Sequence, residues 1–407
     1  MNTLKQFAKQ SIKNYGFSLA LLLSIVLGSL FGWWMGPEAA ILKPLGEIFL
    51  NLMFVVVTPL VFFSISSSVG SVKEFQRFGR IMVSMISVFL LMGIIGATYM
   101  LVVTYFFPPG HGFHLTTTLH SETMDVVSTD HSFLNLLTVS DFPKLFAREN
   151  MLALIIFALL VGAAVSVSGE KGKPFHTFLE SGMAVFMKLT SFIMYYAPIG
   201  FFAYFSVLIG QLGHEIMSAY YYVAMVYCVS ALFYFIVVFT FYAWLAKEDL
   251  KSFWKNLLPP SITALATCSS AASIPVNLNA AEKMGVPPEI YQTVIPLGTI
   301  IHKQGSILAG VIKIAFLFSL YHLPFAGPHT FLMAIGVALL VGIVMGAIPG
   351  GGMLGEMLII SIYGFPPEAL MIIAVIPMLI DPPATLLNVT GNTVSCLLIR
   401  LLSKEKK

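Results

Sequence analysis

Long apolar segments constrain the fold of this chain more than any other feature of its sequence. Runs rich in Leu, Ile, Val, Phe and Met recur from Gly16 to Leu245 and again after Ile290, and most could cross a bilayer as a helix. Only 10% of the 407 residues are charged, against about 25% in soluble domains. The runs lack the alternation of a transmembrane β-barrel. The sequence therefore predicts an all-α polytopic membrane protein.

The basic residues predict which side of the membrane each loop faces. When successive loops are assigned to alternate sides, fifteen lysines and arginines share a side with both termini, whereas Lys43, Lys144 and Arg148 lie opposite. Cytoplasmic loops carry an excess of Lys and Arg, so both termini are predicted to be cytoplasmic in an integral plasma (inner) membrane protein. The segment from Gly16 to Met35 is too long for a cleavable signal peptide and is interpreted as the first span.

The sequence predicts neither a cofactor nor a metal site. Four histidines in the polar segment 108–148 match no ligand spacing and are interpreted as part of a solvated loop. The three cysteines lie in apolar segments and suggest no disulfide framework. The polar residues form no nucleophile–base pair, so no enzymatic activity is predicted.

A polar cluster at residues 302–306 interrupts the apolar run from about Ile290 to Leu320. A helix carrying His302, Lys303 and Gln304 at its centre could not face lipid. Ionisable residues at membrane depth usually face the bundle interior or a water-filled cavity, where they serve function. The cluster is therefore predicted to be the functional centre.

Two further breaks follow Lys255, where the apolar pieces become too short to span. One is Ser-rich, at 267–275, and the other is Gly-rich, at 347–352. Each predicts a re-entrant hairpin, because non-helical backbone at membrane depth is tolerated only when protein-buried or lining a cavity. Kinked full-length spans are the alternative.

Each predicted hairpin precedes a helix with a polar interruption, at 302–306 after the first and at 381–383 and 388–392 after the second. The two units enter from opposite sides of the membrane, which is the pattern of an inverted repeat. In such transporters the substrate and ion sites lie between the repeats, where half-helix ends supply partial charges.

The chain resembles the dicarboxylate/amino acid:cation symporter family, which has the glutamate-transporter fold. The resemblance covers about residues 16–403. It is carried by Thr58-Pro59-Leu60-Val61-Phe62-Phe63, Tyr196-Ala197-Pro198-Ile199-Gly200, the serines at 269–273, Pro296-Leu297-Gly298, Pro349-Gly350 and Asn388-Val389-Thr390-Gly391.

The resemblance implies eight transmembrane helices, two re-entrant hairpins and a homotrimer in the lipid bilayer. Residues 16–70 and 108–210 (spans one, two, four and five) would form a static trimerisation scaffold. Residues 77–107 and 216–407 (spans three and six to eight, with both hairpins) would form a transport domain that moves like an elevator. The second hairpin would be the outer gate.

The resemblance also implies a substrate site at the hairpin tips and in the last span. Asp381 occupies the position that takes the amino group of amino acid substrates, and Asn388 the position that binds their α-carboxylate. The implied substrate-binding residues are Ser269, Ser270, Ser306, Pro349, Gly350, Gly352, Asp381, Thr385 and Asn388.

This sequence departs from the family where sodium binds. The family's Asn-Met-Asp-Gly-Thr is replaced by residues 302–306, so that Gln304 stands in place of a sodium-binding aspartate, and Asn392 in place of another carboxylate. Hydroxyl-bearing positions in span three are Phe89, Met92 and Gly93. Loss of these ligands predicts transport without sodium coupling, whether proton-coupled, by exchange or facilitative.

Lys303 is predicted to be an internal counter-charge or a proton carrier, since burial disfavours a charged lysine. A fixed salt bridge to Asp381 is the alternative. His302 is interpreted as a hydrogen-bonded packing residue, with a proton relay as its alternative, and Gln304 as filling the vacated ion site. Lys303, His302, Gln304 and Asn392 are together the predicted ion-coupling or counter-charge residues.

The substrate prediction rests on Ala384, which stands where acidic-substrate members carry an arginine. An unpaired buried carboxylate is costly, so a small neutral amino acid is expected. An acidic amino acid or C4-dicarboxylate with Lys303 as counter-charge is the alternative substrate. A channel-like protein or a non-transporting sensor is the alternative class.

Overall fold

A computed structural model describes residues 20–21, 23–70, 79–110, 138–147, 150–212, 215–347 and 352–403, and every regular element in these residues is helical. The first half is built from long helices joined by short turns. Its elements are α1 (23–35), a 3-10 turn (Gly36–Leu42), α2 (Lys43–Gly70), α3 (Gly79–Phe106), α4 (Phe142–Leu145), α5 (Met151–Val167), a 3-10 turn (Gly169–Gly172) and α6 (Lys173–Leu212).

The second half alternates long helices with shorter, broken ones. Its elements are α7 (Glu215–Phe233), a π-helical segment (Tyr234–Val238), α8 (Phe239–Leu245), α9 (Leu250–Thr267), α10 (Ile274–Lys283), α11 (Pro288–Ile301), α12 (Gln304–Leu320), α13 (Pro328–Ala347), α14 (Gly352–Tyr363) and α15 (Ala369–Ser403).

Helices α2, α5 and α6 pack together, and glycines bring α1 onto α6. A Cβ added at Gly28 would lie 2.4 Å from the carbonyl oxygen of Phe202, and one at Gly32 would lie 2.2 Å from that of Ser206. Small residues four apart let helix backbones approach closely, and this contact has that form.

The core of the second half is formed by α12 and α15. Every residue of α12 from Gln304 to Phe318 is buried, and so is every residue of α15 from Ala384 to Ile399. Helices that are apolar all round belong at the centre of a bundle, and α3, α8, α11, α13 and α14 surround these two.

Seven segments of the described chain are long and apolar enough to cross a bilayer, and two shorter apolar helices accompany them. The predicted first and second spans form one of the seven, 23–67, because the 3-10 turn joins them without interruption. These segments support an integral membrane protein. The count of eight spans and two hairpins stays a prediction.

The predicted breaks have different outcomes. Residues 268–273 separate α9 from α10, and Cys268 adopts a left-handed conformation with φ of 48°. Residues 348–351, at the second break, lie outside the described residues. The expected interruptions at 381–383 and 388–392 were wrong for the backbone, because α15 continues through both stretches, including Pro382 and Pro383. Proline fixes φ near the helical value. The long helical segments on either side therefore tolerate the backbone hydrogen bonds that Pro382 and Pro383 cannot donate.

Candidate functional site

The break between α11 and α12 positions the polar cluster. His302 and Lys303 have extended backbone conformations, with φ of −123° and −122°, and α12 begins directly after them. The backbone N–H groups of Gly305 and Ser306 donate to Asn388 Oδ1 of α15 over 2.8 and 3.3 Å. Asn388 thus satisfies the free donors at the start of α12, and its Nδ2 lies 3.4 Å from Ser306 Oγ.

Lys303 points to the turn between α9 and α10. Its half-buried ammonium donates to Ser270 Oγ over 3.0 Å. Among the ion pairs within 4 Å in the described residues, none joins Lys303 to Asp381, so the expected alternative of a fixed salt bridge is wrong. The Asp381 side chain is exposed in the single chain and accepts from Thr385 Oγ1 at 3.2 Å. The two charges therefore border one region without forming a direct ion pair.

The turn itself is closed by Ser269. Its hydroxyl accepts from the N–H of Ala272 at 3.2 Å, and its carbonyl accepts from Ser273 Oγ at 2.9 Å. Of the residues predicted at the second tip, Pro349 and Gly350 lie outside the described residues, and Gly352 is the first residue of α14.

Residues from three helices meet at the predicted ion position. His302 Nδ1 lies 3.1 Å from Asn392 Oδ1, and the imidazole stacks on Phe89 with centroids 4.4 Å apart and planes 3° from parallel. Gln304 Nε2 donates to the carbonyl of Met92 over 3.1 Å and to Tyr234 Oη over 3.0 Å. The positions in spans three, seven and eight at which this sequence departs from the family it resembles are thus in direct contact.

This donor set does not fit sodium. A hard cation requires several oxygen ligands with compensating negative charge. The cluster supplies two neutral amide oxygens and an imidazole, and the imidazole already engages Asn392 Oδ1. Among the described residues, its buried side-chain atoms without a hydrogen-bond partner are His302 Nε2, Gln304 Oε1 and Asn392 Nδ2.

Several polar residues of the site were missed from the sequence. Tyr227 Oη donates to the carbonyl of Gly305 over 2.9 Å, and Tyr234 accepts from Gln304. Asn277 of α10 donates to the carbonyl of Val389 over 2.7 Å and accepts from Thr393 over 2.6 Å. The spacing of Tyr227 and Tyr234, about two helical turns, was the available signal that both face one side.

A buried ion pair lies beside the site. Lys313 of α12 donates to Glu356 of α14, with side chains 1% and 0% exposed. These two deep charges therefore form a structural pair in the protein interior.

The sequence comparisons identify the family. The model of the Sodium:dicarboxylate symporter family matches residues 17–401. The chain belongs to this family. The resemblance seen in the sequence is therefore confirmed, and the protein is an integral membrane transporter of the symporter class.

Relatives of this symporter-family member are similar over nearly their whole length. A proton/sodium-glutamate symport protein of Bacillus caldotenax is 27% identical over 391 residues, 94% of this chain and 92% of the relative. A proton/glutamate-aspartate symporter of Bacillus subtilis (strain 168) is 25% identical over 395 residues, 93% of each chain. A C4-dicarboxylate transport protein of Anaeromyxobacter sp. (strain K) is 24% identical over 390 residues, 93% of this chain and 87% of the relative.

Proposed function

We propose that this symporter-family member moves a small neutral amino acid across the membrane without sodium coupling. The observation that carries the proposal is the pair of opposite charges described above. Lys303 is held by Ser270 rather than by a carboxylate, and Asp381 is bonded only to Thr385 among the side-chain contacts described. An amino acid zwitterion supplies one carboxylate and one ammonium group, which complement these two charges.

The environment of the last span supports a neutral side chain on the substrate. Ala384 is buried, at 8% exposed, and offers no charge to a second carboxylate. A C4-dicarboxylate would place both of its carboxylates near Asp381 with Lys303 as the single facing cation. An unpaired buried carboxylate is costly, so the neutral amino acid is the better fit.

The cluster of His302, Gln304 and Asn392 supports sodium independence. Gln304 and Asn392 occupy the positions of the family's sodium carboxylates. Asn392 bonds to His302, and Gln304 bonds to the carbonyl of Met92 and to Tyr234. Nothing in the cluster supplies the negative charge that sodium requires.

For the architecture we propose the arrangement implied by the resemblance, with eight spans, two re-entrant hairpins and a homotrimer whose termini are cytoplasmic. The packing of α2, α5 and α6 fits a scaffold, and the packing of α3, α7–α11, α13 and α14 around α12 and α15 fits a transport domain. The substrate would lie between the tip at 268–273, the second tip and residues 381–388, and an elevator-like displacement would carry it across.

A second candidate substrate is an acidic amino acid or C4-dicarboxylate. It is favoured by the relatives, which are named as glutamate, glutamate-aspartate and C4-dicarboxylate transporters. In this case Lys303 would pair with the second carboxylate in place of the absent arginine.

Reconstituted uptake tests these proposals. Proteoliposomes would be offered labelled Ser, Ala, Thr, Asp, Glu and succinate with sodium or proton gradients imposed separately. Saturable uptake of Ser, Ala or Thr that is indifferent to sodium is expected. Uptake confined to Asp, Glu or succinate would replace the neutral substrate by the second candidate, and sodium-driven uptake would overturn the proposed coupling. Non-saturable flux would indicate a channel-like protein, and absence of flux a sensor.

A further inference from the structure

We propose that His302 is the proton-binding group that couples transport to a proton gradient, at the position where the family binds sodium. This inference rests on the proposed function, because it names the coupling ion of the same transporter. Three side chains surround the imidazole: Phe89, Asn392 and Gln304.

The imidazole is held rigidly. His302 is 2% exposed, its ring lies flat on Phe89, and its Nδ1 is fixed by Asn392 Oδ1 at 3.1 Å. The second nitrogen, Nε2, is equally buried and has no hydrogen-bond partner in the described chain.

Gln304 supplies a second buried acceptor oxygen next to the imidazole. The carbonyl of Met92 can only accept, so the atom of Gln304 at 3.1 Å from it must be the amide nitrogen. The amide oxygen, Oε1, is therefore directed elsewhere, and it is buried without a partner. The two side chains are neighbours, since a Cβ added at Gly391 would lie 3.5 Å from both Gln304 Cβ and His302 Cε1.

The cluster thus offers two acceptor oxygens to one imidazole. A neutral ring has a single N–H, so with Asn392 as it stands one nitrogen and one oxygen remain unsatisfied, which is unfavourable for buried groups. A proton bound by the lone pair of Nε2 forms an N–H that Gln304 Oε1 can accept, and no other bond is broken. When the proton on Nδ1 leaves and Nε2 keeps its N–H, a half-turn of the Asn392 amide lets its nitrogen donate to the bare Nδ1, so both states can be accommodated.

The charges around His302 determine how the membrane potential acts on the loaded site. Lys303 is adjacent in sequence but donates to Ser270, and Asp381 lies on α15. Tyr234 and its partner Tyr242 stand behind Gln304, while α3 contributes Phe89 and Met92, which do not titrate. With proton and zwitterion bound, the site carries one net positive charge, and with neither bound it carries none. An inside-negative membrane potential therefore favours inward movement of the loaded state.

The test compares His302→Gln with wild type and with His329→Gln, a matched change at an exposed histidine of α13. Proteoliposomes containing a pH-sensitive dye are given L-alanine, or whichever amino acid of the panel the wild type takes up. Wild type and His329→Gln should acidify the lumen during uptake and accumulate substrate when the outside is acidic. His302→Gln should keep substrate exchange within about threefold while losing acidification and proton-driven accumulation.

If His302→Gln also loses exchange, a second variant tests whether His302 binds the coupling proton. Gln304→Met removes the acceptor for the Nε2 proton, so the pH midpoint of uptake should fall by about one unit. A hydrogen bond to a charged group contributes enough free energy to shift a pKa by that amount. An unmoved midpoint, or lumen acidification by His302→Gln, would overturn the inference. Sodium-independent uptake without proton movement in wild type would overturn it while leaving the proposed function intact, whereas sodium-driven uptake would overturn the proposed function itself.

Discussion

Lys303 is the residue on which the proposed substrate contact depends most. Its ammonium lies at the turn between two helices, bonded to a serine hydroxyl, and a substrate carboxylate could displace that weak partner. Hydrogen bonds to charged groups contribute more than neutral ones, so the exchange of partner favours binding.

Replacing Lys303 by methionine is expected to raise the KM for a neutral amino acid by about tenfold or more, because one charge-assisted contact of about 1.5–3 kcal/mol is lost. Lys303→Arg should recover part of the affinity because it keeps the charge. Uptake kinetics in proteoliposomes measure both. Lys283→Met, at an exposed lysine in the last turn of α10, is the control and should leave the KM unchanged. An unaltered KM in Lys303→Met would contradict a substrate contact.

At the residue scale, the sequence indicated which side chains are unusual but not what they touch. Residues 302–306, Asn388 and Asn392 stand out because polar groups in apolar helices need a reason. The stacking of Phe89 on His302 and the hydrogen bond from Tyr227 depend on how neighbouring helices are aligned. That alignment is set by packing across the bundle, and a local pattern does not contain it.

Among the elements, α12 and α14 are joined by the ion pair of Lys313 and Glu356. Both side chains are almost completely buried, and Glu356 Oε2 has no partner among the described residues. Two charges removed from water recover little net stability, but a single charge left behind is strongly unfavourable.

The single variants Lys313→Met and Glu356→Met are each expected to lower the stability of the protein by about 3–5 kcal/mol, because each leaves an unpaired buried charge. The double variant should recover most of that loss. Thermal unfolding of the detergent-solubilised protein, analysed as a double-mutant cycle, measures the coupling. Additive losses in the double variant would show that the pair does not act as a unit.

Helix bounds show where sequence patterns succeed and fail at the element scale. The Ser-rich break and the break at 302–303 were predicted, since small and polar residues in apolar runs end helices. The expected interruptions at 381–383 and 388–392 were wrong for the backbone. A 35-residue helix, buried from Ala384 to Ile399, stays continuous through Pro382 and Pro383.

At the scale of the whole molecule, apolar patterning and family motifs together predicted a membrane transporter, and the family match confirms this class. Movement is a property that neither one sequence nor one structure contains. The proposed elevator requires α6 to belong to the scaffold and the residues before α15 to belong to the transport domain. These parts touch where Tyr204 Oη donates to the carbonyl of Glu368 over 2.7 Å.

A cross-link across this contact is expected to stop transport. The variant Tyr204→Cys/Glu368→Cys would be made after Cys228, Cys268 and Cys396 are replaced, treated with a short bifunctional thiol reagent, and assayed for uptake. If the transport domain slides past α6, the tether should reduce uptake at least tenfold while substrate binding persists.

The matched control places the tether within the proposed scaffold. Tyr196 of α6 donates to the carbonyl of Leu45 in α2 over 3.2 Å, so Tyr196→Cys/Leu45→Cys can be linked by the same reagent. Because α2 and α6 would stay together throughout the cycle, that link should leave uptake unchanged. Equal inhibition by both links would indicate a general effect of cross-linking. Full activity with the first link formed would mean that Tyr204 and Glu368 move together, and the boundary between the two domains would then have to lie elsewhere in the bundle.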